Sequence, residues 1–303
     1  MTERQDSGCV VESYGRRAVV ERPGGVRLPC KLKRRNLDLV AGDNVRVELS
    51  PGDDEWTVVE RLPRRNVLCR SDSRGRSESL AANLDLLGVV VAPRPACDPF
   101  IVDRYLAGAR YAGIDALLIV NKQDLPAEAG DLSFIQPYRT LGLTVVPVSA
   151  HTRAGLDAVI AQLTGRRSLL AGQSGVGKSS LLNALAGEAV RATGRLSHRS
   201  EEGRHTTVSS AIFRVPWGEI ADSPGVRDYA PPVVPLQDVQ LGFVEIAGRA
   251  HECRFLDCLH LREPQCAVQA AVASGAIDAR RYESYRRLLN LIRQLDERRG
   301  WGQ

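Results

Sequence analysis

Over the first seventy residues, apolar positions come in short runs divided by turn residues. The runs are Cys9-Val10-Val11-Glu12, Ala18-Val19-Val20, Val26-Arg27-Leu28, residues 44–49 and residues 56–59. Pro23-Gly24-Gly25, Gly42-Asp43 and Ser50-Pro51-Gly52-Asp53 separate them. Five short strands at this spacing predict a small β-barrel. The serine- and arginine-rich stretch at 70–77 reads as a linker or mobile loop.

From residue 84 the texture changes. Leu86-Leu87-Gly88-Val89-Val90-Val91-Ala92 is nearly all apolar, as a strand buried on both faces requires. Helical stretches around 99–111 and 155–163, with a further helix before residue 144, alternate with apolar segments at 116–120, 144–148 and 168–171. Strand alternating with helix predicts an α/β block with a parallel sheet. Beyond Pro224 the pattern turns helical, with a short helix at 267–273 and a longer one at 277–299. On the longer helix Tyr282, Tyr285, Leu289 and Ile292 form one stripe, and Arg280, Arg281, Arg286 and Arg287 read as its solvated face.

Composition narrows the class. With 43% hydrophobic and 25% charged residues, the 303-residue chain has the balance of a folded protein of two or three domains, not of a disordered or fibrous one. No apolar run reaches the roughly 18 residues of a membrane span, and the polar start is no signal peptide, so a cytoplasmic location is expected. The net charge of +5 permits a polyanionic partner. Only four of the 41 basic residues are lysine: Lys31, Lys33, Lys122 and Lys178.

Two of those lysines fall in motifs. Gly172-Gln173-Ser174-Gly175-Val176-Gly177-Lys178-Ser179, followed by Ser180, fits G-x-x-x-x-G-K-[ST] between an apolar strand and a helix. Such a loop turns several backbone N–H groups toward one phosphate. Lys178 is placed for the β- and γ-phosphates and Ser179 for Mg²⁺. Asn121-Lys122-Gln123-Asp124 follows the strand ending at Val120. A carboxylate at Asp124 has two acceptors for the paired N1–H and N2–H₂ of guanine, an edge that adenine lacks. Ser149-Ala150 follows the next strand, where the Ala150 N–H is placed for the guanine O6. Asp222-Ser223-Pro224-Gly225 fits D-x-x-G, with Asp222 for the Mg²⁺ shell and the Gly225 N–H for the γ-phosphate. Between them lies Gly203-Arg204-His205-Thr206-Thr207; Thr207 is preferred for the metal shell, with Thr206 the alternative.

Ordinary GTPases run phosphate loop, switch threonine, D-x-x-G, N-K-x-D, S-A. Here N-K-x-D and S-A come first, so the layout is circularly permuted. The segment after D-x-x-G then leads out of the G domain into the C-terminal domain, and a change at Gly225 would pull on that domain. Near the C-terminus, Cys253, Cys258, His260 and Cys266 are spaced C-x4-C-x-H-x5-C, a donor set for a closed tetrahedral zinc site. Such a site is worth up to ~10–16 kcal/mol to a small domain.

These motifs and this cysteine cluster resemble the circularly permuted, ribosome small-subunit-dependent GTPase family of bacteria, over about residues 8 to 295. The resemblance implies a multidomain fold: an N-terminal OB-fold barrel at 1–70 that binds RNA or ribosome, a permuted α/β P-loop GTPase domain at 71–229, and a mostly helical zinc-binding domain at 230–303. It implies GTP hydrolysis with Mg²⁺, one structural zinc, stimulation by the small ribosomal subunit, and a role in late maturation of that subunit on its rRNA. A monomer is expected.

Val226 follows Gly225 where many GTPases carry a water-orienting glutamine, so hydrolysis without an activator should be slow. His205 is a candidate to orient the water; a salt-bridged surface histidine and an RNA contact are the competing readings. Lys31-Leu32-Lys33-Arg34-Arg35 and Arg61-Leu62-Pro63-Arg64-Arg65 are candidate phosphate contacts. With Tyr14 and Trp56 the only barrel aromatics, shape and phosphate recognition are favoured over base reading. Two other classes fit parts of the pattern: a nucleotide kinase, and a non-enzymatic zinc-containing RNA-binding module with GTP as a structural ligand.

Overall fold

In the computed structural model the described residues are 4–33, 37–50, 55–126, 130–191, 210–223 and 229–300. Strands β1 (Arg4–Tyr14), β2 (Arg17–Glu21), β3 (Arg27–Leu32), β4 (Asn44–Leu49) and β5 (Trp56–Arg61) form the N-terminal unit. They pair in the order β1-β2-β3-β5-β4, and β4 returns to β1 from Arg4↔Leu49 to Cys9↔Asn44, closing a five-stranded barrel. Alternate residues point inward, so Val10, Ala18, Val20, Cys30, Val45, Val47 and Val58 fill the interior. Strand β1 is longer than its apolar run predicts. Its polar start is held by backbone pairing to β4, which needs no apolar side chain.

Residues 70–77 are not a linker. Strands β6 (Val67–Ser71) and β7 (Ser77–Ala82) form a hairpin. At its turn the Asp72 carboxylate accepts from the backbone N–H groups of Arg74 (2.8 Å) and Arg76 (2.9 Å), so polar composition here builds a turn.

The α/β block comes next in the chain. Its strands are β8 (Leu86–Val91), β9 (Asp115–Val120), β10 (Val145–Pro147), β11 (Arg167–Ala171), β12 (Ser210–Val215) and β13 (Gly218–Asp222). Its helices are α1 (Pro99–Tyr111), α2 (Gln136–Thr140), α3 (Leu156–Leu163) and α4 (Lys178–Arg191). The sheet order is β10-β9-β8-β11-β13-β12, parallel except for β12. Strand β11, which carries the phosphate loop, lies at the centre. The strands before it in the chain lie on one side and those after it on the other, so the permuted order still closes one sheet. Glu12↔Ala211 and Ser13↔Ser210 join β1 to β12, making barrel and block one continuous sheet. Arg167 reinforces the joint, donating to Glu219 (2.8 Å) and to the Gly42 carbonyl (3.0 Å).

Helices α5 (Val244–Ala250), α6 (Ala267–Ala273) and α7 (Ala279–Gly300) build the C-terminal unit around Phe243, Ile246, Tyr285, Leu288, Leu289 and Ile292. The arginine set on α7 departs from the sequence reading. Arg281 is only 4% exposed. It donates to Glu245 of α5 at 2.7 and 3.0 Å and to buried Asp103 of α1, to which Arg280 also donates at 3.0 Å. Two arginines and two carboxylates thus fasten the C-terminal unit to α1. No helix among the described residues is long and apolar enough to cross a membrane.

Candidate functional site

The parallel strands end together on one edge, where ligands of open α/β sheets bind. The loop after β11 reaches that edge with positive φ at Gly172, Gly175 and Gly177. A side chain at Gly177 would collide with the Asn121 amide, so the glycine there is a packing requirement. Val176 is buried and fixes the loop to the core beneath. Lys178 opens α4 and its ammonium donates to the Gly172 carbonyl (2.6 Å) and the Gln173 carbonyl (2.8 Å), bringing it over the loop. Ser174, Ser179 and Ser180 are exposed beside it.

Asn121, 1% exposed, joins three loops. Its amide donates to the carbonyls of Val176 (3.0 Å) and Gly177 (3.4 Å), and its oxygen accepts from the Ala150 N–H (3.1 Å). Lys122, at φ 60°, donates to the carbonyls of Gly175 (2.8 Å) and Arg94 (2.9 Å). Asp124 is exposed, and one of its oxygens accepts from the Ser149 hydroxyl at 2.6 Å. That bond holds its carboxyl below the usual carboxylate range, so it is an acceptor at neutral pH. The Gln123 N–H donates to the Val148 carbonyl (3.2 Å), which ties the loop to the next strand. N-K-x-D, S-A and the phosphate loop therefore meet, although up to 56 residues separate them in the chain.

Asp222 ends β13, which runs parallel to β11 with Leu169 opposite Ala221. It thus shares the sheet edge with the phosphate loop. His205, Thr206, Thr207 and Gly225 lie outside the described residues.

The four metal-ligand candidates converge. The ligand atoms of Cys253, Cys258, His260 and Cys266 all lie within 4.8 Å of one another. Cys253 Sγ is 3.8 Å from Cys266 Sγ and 3.5 Å from His260 Nδ1, and Cys266 Sγ is 3.4 Å from Nδ1. His260 Nε2 is 2.8 Å from Gln240 Oε1, so the ring donates there and leaves the Nδ1 lone pair for a cation. Burial pushes the Cys258 thiol up to about 12 and the His260 imidazole down. A cation among them reverses the cost for the thiols. The Glu263 carboxylate accepts from the N–H groups of Leu259, Leu261 and Arg262 and shapes the ligand loop. The cluster can hold a metal ion. Gln240 and Glu263 carry no motif that marks them in the sequence.

The barrel's basic clusters are partly spent. Arg64 donates to buried Asp43 at 2.7 and 2.9 Å, and Arg65 pairs with Asp85 at 2.6 Å. Lys31 and Lys33 are half-exposed or exposed, whereas Arg34 and Arg35 are outside the described residues.

The RsgA GTPase family model matches residues 61–230. A "Small ribosomal subunit biogenesis GTPase RsgA" of Pseudomonas fluorescens (strain Pf0-1) is 40% identical over 293 residues, covering 94% of this chain and 85% of that one. Its Pseudomonas aeruginosa counterpart is 39% identical over 296 residues, covering 96% and 87%. Among solved structures, YjeQ from Thermotoga maritima aligns with a TM-score of 0.72 at 27% identity over 95% of this chain and 99% of that one. YloQ, described as a circularly permuted GTPase, aligns with a TM-score of 0.72 at 22% identity over 96% of each chain, a likeness of fold.

Proposed function

The chain belongs to the RsgA GTPase family, and from that premise we propose that it is a GTP-hydrolysing assembly factor for late maturation of the small ribosomal subunit. In this reading the subunit stimulates hydrolysis and the chain contacts its rRNA, in the cytoplasm. The observation that carries the nucleotide part is the interlock of three loops through Asn121, which presents Asp124 beside a phosphate loop. The ribosomal part is supported by relatives of that name that match this chain over nearly its whole length.

The roles follow from the chemistry. Asp124 reads the guanine N1–H and N2–H₂, Asn121 holds the loops in register, and Lys122 and Ala150 flank the base. Residues 172–180 cradle the phosphates, and Lys178 neutralises charge on the transferring group. Ser179, Asp222 and Thr207 (or Thr206) offer hard oxygen ligands suited to Mg²⁺, which supplies Lewis-acid neutralisation when bound. The Gly225 N–H would sense the γ-phosphate, and His205 is the candidate to orient the water.

The cysteine–histidine cluster holds zinc. Bond lengths of about 2.3 Å to sulfur and about 2.0 Å to nitrogen give tetrahedral edges of about 3.8 Å (S–S) and about 3.5 Å (S–N). Among Cys253, His260 and Cys266 the separations of 3.8, 3.5 and 3.4 Å fit that size of ion, and all four ligand atoms lie within 4.8 Å of one another. The division read from the sequence is 1–70 barrel, 71–229 G domain and 230–303 zinc domain, although its first boundary falls inside β6 of the β6–β7 hairpin. Phosphate release from GTP, measured with and without purified small subunits and in parallel with ATP, tests the proposal; equal turnover of ATP, or no response to subunits, refutes it.

A further inference from the structure

We propose that the loop between β8 and α1, residues 92–98, is a positioning element of the nucleotide site: its Arg94 carbonyl and its Pro95 ring hold Lys122 and the phosphate loop in the geometry that binds nucleotide. This inference rests on the guanine-nucleotide reading of that site. No motif marks the stretch Ala92-Pro93-Arg94-Pro95-Ala96-Cys97-Asp98 in the sequence.

The contacts to the site are direct. Strand β8 ends against the phosphate loop, where a side chain at Gly172 would collide with the Val90 carbonyl. The Val91 carbonyl accepts from the Asn121 N–H at 2.8 Å, so the same strand end holds the start of N-K-x-D. The Arg94 carbonyl accepts from the Lys122 ammonium at 2.9 Å, and that ammonium also donates to the Gly175 carbonyl at 2.8 Å. The Pro95 ring backs the same glycine: a Cβ at Gly175 would stand 3.3 Å from its Cδ and 3.4 Å from its Cγ. A Cβ at Gly177 would stand 3.6 Å from Lys122 Cε. The lysine stem therefore lies along the phosphate loop, and its ammonium is held between that loop and the one after β8.

Lysine has among the most rotamer freedom to lose on ordering. Two carbonyl acceptors fix the Lys122 ammonium in the free chain, so that freedom is not lost when nucleotide binds. The acceptor must itself be fixed for this to work. The pyrrolidine ring sets φ at Pro95, which fixes the direction of the Arg94 carbonyl relative to the chain running into α1. That chain is anchored in turn. Asp98 caps α1, accepting from the Phe100 N–H at 3.0 Å, and its other oxygen lies 3.5 Å from the Arg287 guanidinium of α7. The same guanidinium lies over the Phe100 ring, 4.2 Å from its centroid. On the other side, the Pro93 carbonyl packs against Gly130, where any side chain would collide with it. The loop is held at β8, at Gly130 and at the first turn of α1, and so offers Lys122 a fixed partner.

The test is a double-mutant cycle on the full-length chain. GDP affinity is measured by calorimetry for wild type, Pro95→Gly, Lys122→Ala and the double variant, with thermal unfolding of each without nucleotide. Pro95→Gly should lose about tenfold in GDP affinity through lost pre-organisation. In the Lys122→Ala background the same change should cost at least about threefold less, because the loop acts through the lysine. A loop that only stabilises the fold would lower the melting temperature and give losses that multiply in the double variant. Such multiplying losses overturn the inference, as does a folded Pro95→Gly that binds GDP within about twofold of wild type. If Pro95→Gly does not fold, Pro95→Ala takes its place with the same expectations and the same refutations; it frees φ and removes the ring atoms facing Gly175 but keeps a Cβ. A wild-type chain that binds no guanine nucleotide removes the parent reading and this inference with it. Wild type that binds GDP, with Pro95 variants that bind it equally well, removes the inference alone.

Discussion

Asn121→Ala is the most informative single change at the nucleotide site. The side chain is 1% exposed and makes contacts of 3.0, 3.4 and 3.1 Å to Val176, Gly177 and Ala150. Removing it strands the Val176 carbonyl and the Ala150 N–H, whereas the Gly177 carbonyl keeps the Leu181 N–H at 2.8 Å. Each stranded buried group costs about 1–3 kcal/mol. Partial relaxation of the loops brings the sum to about 2–4 kcal/mol. At about 1.4 kcal/mol per tenfold, GDP affinity should fall by about 30- to 1000-fold. Calorimetric titration with GDP measures it, and thermal unfolding without nucleotide shows how much of the cost falls on stability. Asn121→Asp should be at least as damaging, since it turns an acceptor toward two carbonyls. A folded Asn121→Ala that binds GDP within threefold of wild type would refute the claim that this residue organises the site.

Arg281→Ala leaves buried Asp103 with Arg280 and takes from Glu245 the arginine that holds it; unfolding in denaturant should show a loss of about 3–5 kcal/mol, against under about 0.5 kcal/mol for a solvated arginine. Asp124→Asn replaces an acceptor pair by a mixed donor and acceptor; GDP affinity should drop about 100-fold or more while xanthosine diphosphate, with a carbonyl in place of the 2-amino group, gains. Because the Asp124 carboxyl is held below the usual range, the affinity it supports is fully present above the ordinary carboxylate range. Calorimetry across pH should find that contribution lost only as pH falls through its lowered value. Cys258→Ser should lower zinc from one equivalent to well below one by elemental analysis, and should lower the melting temperature of the C-terminal unit.

The sequence marks the motif loops and the broad fold, and hides some of the contacts that hold the frame together. Phosphate loop, N-K-x-D and S-A are legible because their chemistry fixes residue type at fixed spacing, and the structure joins them through Asn121 and Lys122. The apolar runs of β8 and β9 are legible because both faces are buried. The β6–β7 hairpin is hidden by its polar composition; its strands are specified by mutual pairing and by the chain around Tyr229 that packs on them. Arg281 reads as solvated because its partners, Asp103 and Glu245, lie 178 and 36 residues away, which no local period reveals. Gln240 likewise reaches His260 across 20 residues, from a segment without a motif.

The central claim, a guanine-specific GTPase answering to the small ribosomal subunit, is tested most directly by phosphate release from GTP and ATP with and without purified small subunits. The account predicts slow GTP turnover by the chain alone, at least about tenfold stimulation by subunits, and no ATP turnover in either condition. Comparable rates with ATP, or GTP turnover indifferent to subunits, would contradict it.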